Sequence, residues 1–104
     1  MQNEFSAFEI DLMSMCLSDY HDSPSFKENM SDDERRTVCQ TTLKKLANPS
    51  PMTFFTRKEY SVMFFAVQHF ADVMHANGEQ LTPEAYTLID KLYTKAGGTL
   101  THPN

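Results

Sequence analysis

The sequence predicts an all-α protein, a small four-helix bundle-like domain packed around one buried central helix at 57–77. Four segments repeat apolar residues at helical spacing, each begins with an N-terminal capping pattern, and the three glycines follow helix ends. No segment alternates apolar and polar residues as a half-buried strand does. We therefore expect helices near 4–20, 32–47, 57–77 and 83–96.

Length, charge and cysteine content limit the class of protein. The 104 residues, 40% of them hydrophobic, suit a single domain, 1–104, with a flexible tail at 99–104. The longest apolar run, 62–67, is far shorter than the roughly 20 residues of a membrane span, and no signal segment is visible. Cys16 and Cys39 lack metal-ligand spacing, so we expect two buried thiols and a cytoplasmic protein.

The first predicted helix has a broad apolar face. Its residues recur at helical spacing as Phe5, Phe8, Leu12, Met15 and Cys16, and the stripe is widened by Ile10, Met13, Leu17 and Tyr20. Glu9 projects into this face, where a carboxylate can serve an active site. Ser6 stands three residues earlier, so the sequence favours Glu9 as the acid of a capping box.

The second predicted helix is specified at both ends. Ser31 to Glu34 form a capping pattern with three acids in the first turn, and Lys44 and Lys45 occupy the last turn. Both groups of charges complement the helix macrodipole. The apolar arc that we expect to face the core contains Val38, Cys39, Leu43 and Leu46.

The third segment is the predicted centre of the fold. Thr56 and Glu59 form a capping box, Phe55 and Tyr60 form a hydrophobic staple, and Asn77 with Gly78 ends the helix. Apolar residues nearly encircle it, with Tyr60, Met63, Phe64, Val67, Phe70, Ala71 and Met74 in one arc and Val62, Phe65, Ala66 and Val73 beside His69 opposite. Such a helix is either wrapped by its own domain or covered on its second face by another chain.

The fourth predicted helix has the most complete start. Leu81 and Tyr86 match a hydrophobic staple, Thr82 stands at the N-cap, and Pro83 occupies the first helical position. Gly97 and Gly98 follow its end.

The surplus of apolar surface is the main functional clue. It predicts a protein–protein interaction or regulatory module, such as an accessory, inhibitor or adaptor protein, whose partner is another protein or a second copy. Two prolines stiffen the connection before the third helix and favour exposure of the apolar residues beside them. The predicted partner-binding residues are therefore Val62, Phe65, Ala66, His69, Val73, Met52 and Phe54.

Catalysis and metal binding have weak support in the sequence. No phosphate-binding loop or nucleophile motif is present, so we expect no enzyme and no cofactor. The alternative is a metal- or ligand-binding helical protein that uses His69, Asp72 and His75 of the central helix. His69 and His75 are separated by about 120° around the helix and ~9 Å along it, which prevents both from reaching one ion.

A second alternative is a nucleic-acid-linked regulator. It would use the basic residues Arg35, Arg36, Lys44, Arg57 and Lys58. The formal net charge of −5 argues against it, because nucleic-acid binders usually carry a basic excess.

Overall fold

The computed structural model describes residues 5–22, 31–48 and 54–97. These residues form four helices and no strand: α1 (Ala7–His21), α2 (Asp32–Ala47), α3 (Arg57–Ala76) and α4 (Pro83–Lys95). The predicted all-α fold is confirmed. None of these four helices has the length and apolar character needed to cross a membrane. The predicted tail at 99–104 lies outside the described residues.

Each helix begins where its capping residue predicts. Reciprocal capping boxes join Ser6 with Glu9 and Thr56 with Glu59, and the hydroxyls of Ser31 and Thr82 accept hydrogen bonds from the backbone N–H groups of Glu34 and Ala85. The predicted start of the first helix near residue 4 is wrong. Ser6 has extended backbone angles and takes the N-cap, so α1 begins at Ala7.

Gly78 ends α3 as the sequence predicts. Its φ of 80° lies in the left-handed region that only glycine adopts without strain. The Gly78 N–H donates to the His75 carbonyl at 3.0 Å, and the Glu79 N–H donates to the Met74 carbonyl at 2.8 Å. These two bonds form a Schellman motif, which satisfies the last carbonyls of the helix.

The central helix is α3, which packs against each of the other three helices. The rings of Phe5 and Phe55 lie 5.9 Å apart at one end, and those of Tyr20 and His69 lie 6.2 Å apart at the other. These two contacts show that α1 and α3 run in the same direction.

One apolar stripe from every helix contributes to the core. The buried hydrophobic residues are Met13, Cys16, Leu17 and Tyr20 from α1, Cys39 and Leu46 from α2, Val62, Met63, Ala66, Val67 and Ala71 from α3, and Ala85, Leu88, Ile89 and Leu92 from α4. Both cysteines are buried free thiols. Full burial of one aliphatic side chain is worth about 1.5–3 kcal/mol, so this set supplies most of the stability of the fold.

The rotation of α1 about its axis differs from the sequence-based expectation. Phe8 and Met15 were expected at the core, but they are 46% and 47% exposed, whereas Met13 and Leu17 are fully buried. Apolar residues cover more than half of the circumference of α1, so helical spacing alone does not select the buried side. The observed rotation leaves two large apolar side chains at the surface.

Arg35 lies inside the domain, which corrects its assignment to a basic surface. Its Nη1 is 2.6 Å from Asp32 Oδ1, and its Nη2 donates to the His21 carbonyl at 3.4 Å. The guanidinium also lies 5.9 Å from the ring centroid of Tyr20. These contacts join the start of α2 to the end of α1, and the buried side chain cannot reach a phosphate from outside.

Candidate functional site

The predicted partner-binding residues of α3 fall into a buried and an exposed group. Val62 and Ala66 are 0% and 1% exposed and belong to the core, so the prediction is wrong for these two residues. The neighbouring helices of the domain itself cover this half of α3. Phe65 is half-buried against the core, whereas His69 and Val73 are exposed.

One side of α3 thus changes from core to surface along its length. Val62 and Val73 are eleven residues apart, which places them on the same side of a helix to within about 20°. Val62 is fully buried and Val73 is 44% exposed. The ring of Tyr20, near the end of α1, lies 6.2 Å from that of His69, so the part of α3 around Val73 lies near the end of α1. The apolar stripe that the sequence reveals is therefore covered at its start and uncovered at its end.

A cavity of about 220 Å³ opens between α1 and α3 where this stripe leaves the core. We call it the α1/α3 groove; it is lined by Cys16 and Asp19 from α1 and by Ala66, His69, Phe70 and Val73 from α3. Most of its lining is apolar, while Asp19 and His69 place polar groups at its exposed edge. Met15 lies one turn before Asp19 on the same side of α1, which adds an exposed apolar side chain next to the groove.

The contribution of α1 to this groove was missed from the sequence. The signal was present, because Met15 and Asp19 stand four residues apart on α1. The place of Asp19 in the same groove as Val73 depends on how α1 packs along α3, and no local pattern records that packing.

Cys16, Asp19 and His69 have the residue types of a nucleophile, an orienting acid and a base. A cysteine nucleophile must ionise to react. Burial, with a further contribution from the negative charge of Asp19, raises the pKa of Cys16 to about 12. The thiol therefore stays protonated at neutral pH, and the groove suits contact with a partner better than nucleophilic chemistry.

The protonated state of Cys16 predicts slow alkylation. In the folded protein at pH 8, we expect Cys16 to react with iodoacetamide more than about 100-fold slower than an unperturbed thiol. Peptide mass mapping separates Cys16 from Cys39, and the same reaction in guanidinium chloride serves as the control in which both thiols react. Rapid labelling of Cys16 in the folded protein would contradict this account and restore a nucleophilic role.

A second cavity, of about 470 Å³, lies between the starts of α1 and α4. It is lined by Ser6, Phe8, Glu9, Thr82, Glu84 and Thr87. Most of its polar side chains already stabilise the fold, because Ser6 and Thr82 cap their helices and Glu9 lies 3.1 Å from Lys91 Nζ. The α1/α3 groove is the stronger candidate, since Val73 and Met15 have no such structural role.

Phe54 is also exposed, at 76%, but it is remote from the groove. Its backbone carbonyl accepts a hydrogen bond from Lys45 Nζ at 2.7 Å, which holds it near the start of α3. The helix from Arg57 to Val73 is ~24 Å long at the standard rise, so Phe54 cannot share one small contact with the groove. Met52, its predicted companion, lies outside the described residues.

The structure does not bring His69, Asp72 and His75 together as a metal site. Within residues 5–22, 31–48 and 54–97, no group of three or more histidine, cysteine, aspartate or glutamate residues is placed to hold an ion. Asp72 instead accepts a hydrogen bond from Gln68 Nε2 at 3.1 Å.

Comparisons with protein-family models, curated proteins and solved structures gave no match.

Proposed function

We propose that this protein is a protein–protein interaction module, an accessory or adaptor protein, whose partner docks on the α1/α3 groove. The observation that carries the proposal is the contrast between two valines on one apolar stripe of α3. Val62, at one end of the stripe, is buried in the core, whereas Val73, at the other end, is exposed. The start of this stripe is buried in the core of the domain, and its end is uncovered beside a cavity. Apolar side chains around a concave site are typical of docking surfaces.

The apolar contact area supports binding of moderate strength. Met15 and Val73 remain 47% and 44% exposed, so a partner could still bury about half of each side chain. Such burial is worth roughly 1 kcal/mol per residue, to which the apolar lining of the groove adds. A weak or regulated complex fits this area better than a permanent one.

Three of the five basic residues of the nucleic-acid alternative have a carboxylate partner. Arg35 is buried and paired with Asp32, and Lys58 forms an ion pair with Glu34. Arg36 lies 3.9 Å from Asp33. With a formal net charge of −5, the chain gives little support to phosphate binding.

A symmetric dimer through the groove is a weaker proposal than a different partner. In a two-fold dimer the same surface meets itself, so the acidic edge at Asp19 would face a second acidic edge.

We further propose a cytoplasmic location without catalytic activity. The two buried free thiols are the form of cysteine usual in reducing compartments.

The proposal can be tested by quantitative capture of proteins from cells of the native host. We expect at least one partner to be recovered tenfold less by Val73→Asp than by the wild-type protein. Thr94→Asp is the matched control, because Thr94 is exposed near the opposite end of the bundle. Circular dichroism should show that both variants are folded. Equal capture of every partner by all three proteins would contradict the proposal.

A further inference from the structure

We infer that the occupant of the α1/α3 groove is a basic amphipathic helix of another protein, which inserts one large apolar side chain into the cavity. This inference rests on the proposed docking function and adds the chemistry of the partner. Three properties of the groove support it: the sign of its charges, their position on the helices, and the size of the cavity.

In the two helices that form the groove, lysine and arginine occur only at the start of α3. None of the nine lysines and arginines lies in residues 5–22 or 59–90, which include all of α1 and all of α3 beyond its first two residues. The acids of α1 and α3 are Glu9, Asp11, Asp19, Glu59 and Asp72, of which Glu9 and Glu59 form ion pairs with Lys91 and Lys45. Beyond Arg57 and Lys58, and histidine apart, the charged side chains of the two groove helices are therefore acidic. A cationic partner would be attracted, and an acidic one repelled.

Acids lie near the C-terminal ends of both groove helices. Asp19 lies in the last turn of α1 and Asp22 is its C-cap, although a carboxylate at a helix C-terminus is unfavourable. Asp72 likewise lies near the end of α3. Local contacts offset part of this cost, because His21 Nδ1 lies 2.9 Å from Asp22 Oδ1 and Gln68 donates to Asp72 at 3.1 Å. The acids thus add negative charge at the C-terminal ends of α1 and α3.

The parallel arrangement of α1 and α3 strengthens this negative field. Because the two helices run in the same direction, their C-terminal ends lie on the same side of the domain, and their partial negative charges add to those of the acids. Arg35 contacts the final carbonyl of α1, but its charge is balanced by Asp32 at 2.6 Å. The potential at this end of the groove therefore favours a cation.

The groove has room for an anchor residue of a helix. A cavity of about 220 Å³ can take a large apolar side chain such as leucine, methionine or phenylalanine. A third helix can lie along two packed parallel helices, in the manner of other helix-in-groove complexes. Lysine or arginine one turn before and after the anchor would then lie on the groove side and could approach Asp19 and Asp72.

A second copy of this chain fits the groove less well. The basic residues on the outer side of α2, such as Arg36 and Lys44, are accompanied by Thr37 and Gln40 rather than by large apolar side chains. Phe54 is exposed near Lys45, but it precedes α3 and is not on a helix. No described helix of this chain combines a basic surface with an exposed apolar anchor.

The test is a selection from a phage-displayed library of 16-residue helices with equal numbers of lysine and glutamate codons at the variable polar positions. Wild-type protein is the target and folded Val73→Asp is used for counter-selection. Met15→Asp provides a second blocked groove in case Val73→Asp is unstable. We expect the enriched helices to carry a net positive charge around one large apolar residue. Their affinity for the double variant Asp19→Asn, Asp72→Asn should be at least tenfold lower than for the wild-type protein. Their affinity for the control variant Asp90→Asn should be within twofold of that for the wild-type protein.

Each other outcome rejects the inference in a distinguishable way. Enrichment of apolar helices without positive charge would overturn the basic partner but leave the docking groove standing. Failure to enrich any helix whose binding depends on Val73 would overturn both the basic partner and the docking groove. A wild-type dimer that Val73→Asp dissociates in sedimentation would make the second copy the occupant instead.

Discussion

Val62→Asp is expected to unfold the domain, whereas Val73→Asp is expected to leave it folded. The two valines lie on one side of α3, but Val62 is fully buried and Val73 is 44% exposed. A carboxylate at position 62 would have to lose its hydration without a partner, at a cost of several kcal/mol. That cost is comparable to the whole stability of a small domain, about 5–15 kcal/mol.

Thermal unfolding monitored at 222 nm checks this pair. Val73→Asp should change the free energy of unfolding by no more than about 1 kcal/mol, because its new side chain can remain hydrated. Val62→Asp should lack a cooperative thermal transition, because it should already be largely unfolded at 25 °C. A folded, stable Val62→Asp would place this part of α3 at the surface and restore the original prediction of a long interface on α3.

Glu59→Gln is expected to destabilise the domain by roughly 2 kcal/mol, the usual loss for a charge-assisted hydrogen bond that is largely buried. Glu59 Oε1 is 2.7 Å from Lys45 Nζ and accepts from the Thr56 N–H at 2.8 Å, and Oε2 accepts from the Thr41 hydroxyl at 3.0 Å. The carboxylate therefore caps α3 and also joins it to α2. A glutamine can still accept from Thr56 but cannot match the charge of Lys45.

Urea unfolding of Glu59→Gln at neutral pH measures this loss, with Glu34→Gln as the control. Glu34 pairs with Lys58, but both side chains of that pair are more exposed, so its removal should cost less than about 1 kcal/mol. Equal destabilisation by the two substitutions would show that burial does not strengthen the Glu59 contacts.

The contribution of Glu59 should also depend on pH. Burial by itself raises the pKa of Glu59, but the hydrogen bonds from Lys45, Thr56 and Thr41 and the charge of Lys45 outweigh it and lower the pKa below its ordinary value. The stabilisation is therefore complete above about pH 4.5 and is lost as pH falls through the lower folded-state pKa. Wild type and Glu59→Gln should accordingly become closer in stability in strong acid.

The ends of the helices could be predicted because their signals are local. Ser6 with Glu9, and Thr56 with Glu59, lie within one turn of each other, so the sequence alone places both capping boxes. The same holds for Gly78, whose positive φ ends α3. Local rules of this kind determine the helices before any tertiary contact is known.

The buried charges could not be predicted, because their partners come from other helices. Lys45 of α2 reaches Glu59 across 14 residues of sequence, and Arg35 reaches the carbonyl of His21 across the same separation. Sequence spacing identifies Glu59 only as a capping acid and Arg35 only as a base. Their burial follows from the packing of α2 against α1 and α3.

The groove was only partly predictable for a related reason. The apolar surplus on α3 is visible in the sequence, and it correctly draws attention to the side that carries Val62 and Val73. Which end of that side is covered depends on the level of α1 along α3, shown by the contact between Tyr20 and His69. That level is a tertiary property, so the sequence could not separate core from surface along the stripe.

Amide chemical-shift mapping tests the central claim, that the α1/α3 groove is the docking surface. The ligand would be the tightest helix selected on the wild-type protein without counter-selection, so that every surface competes equally. We predict that the largest shifts occur at Cys16, Asp19, His69, Phe70 and Val73, the residues that line the groove. Shifts confined to the outer side of α2, around Arg36 and Gln40, or to the segment around Phe54, would contradict the claim.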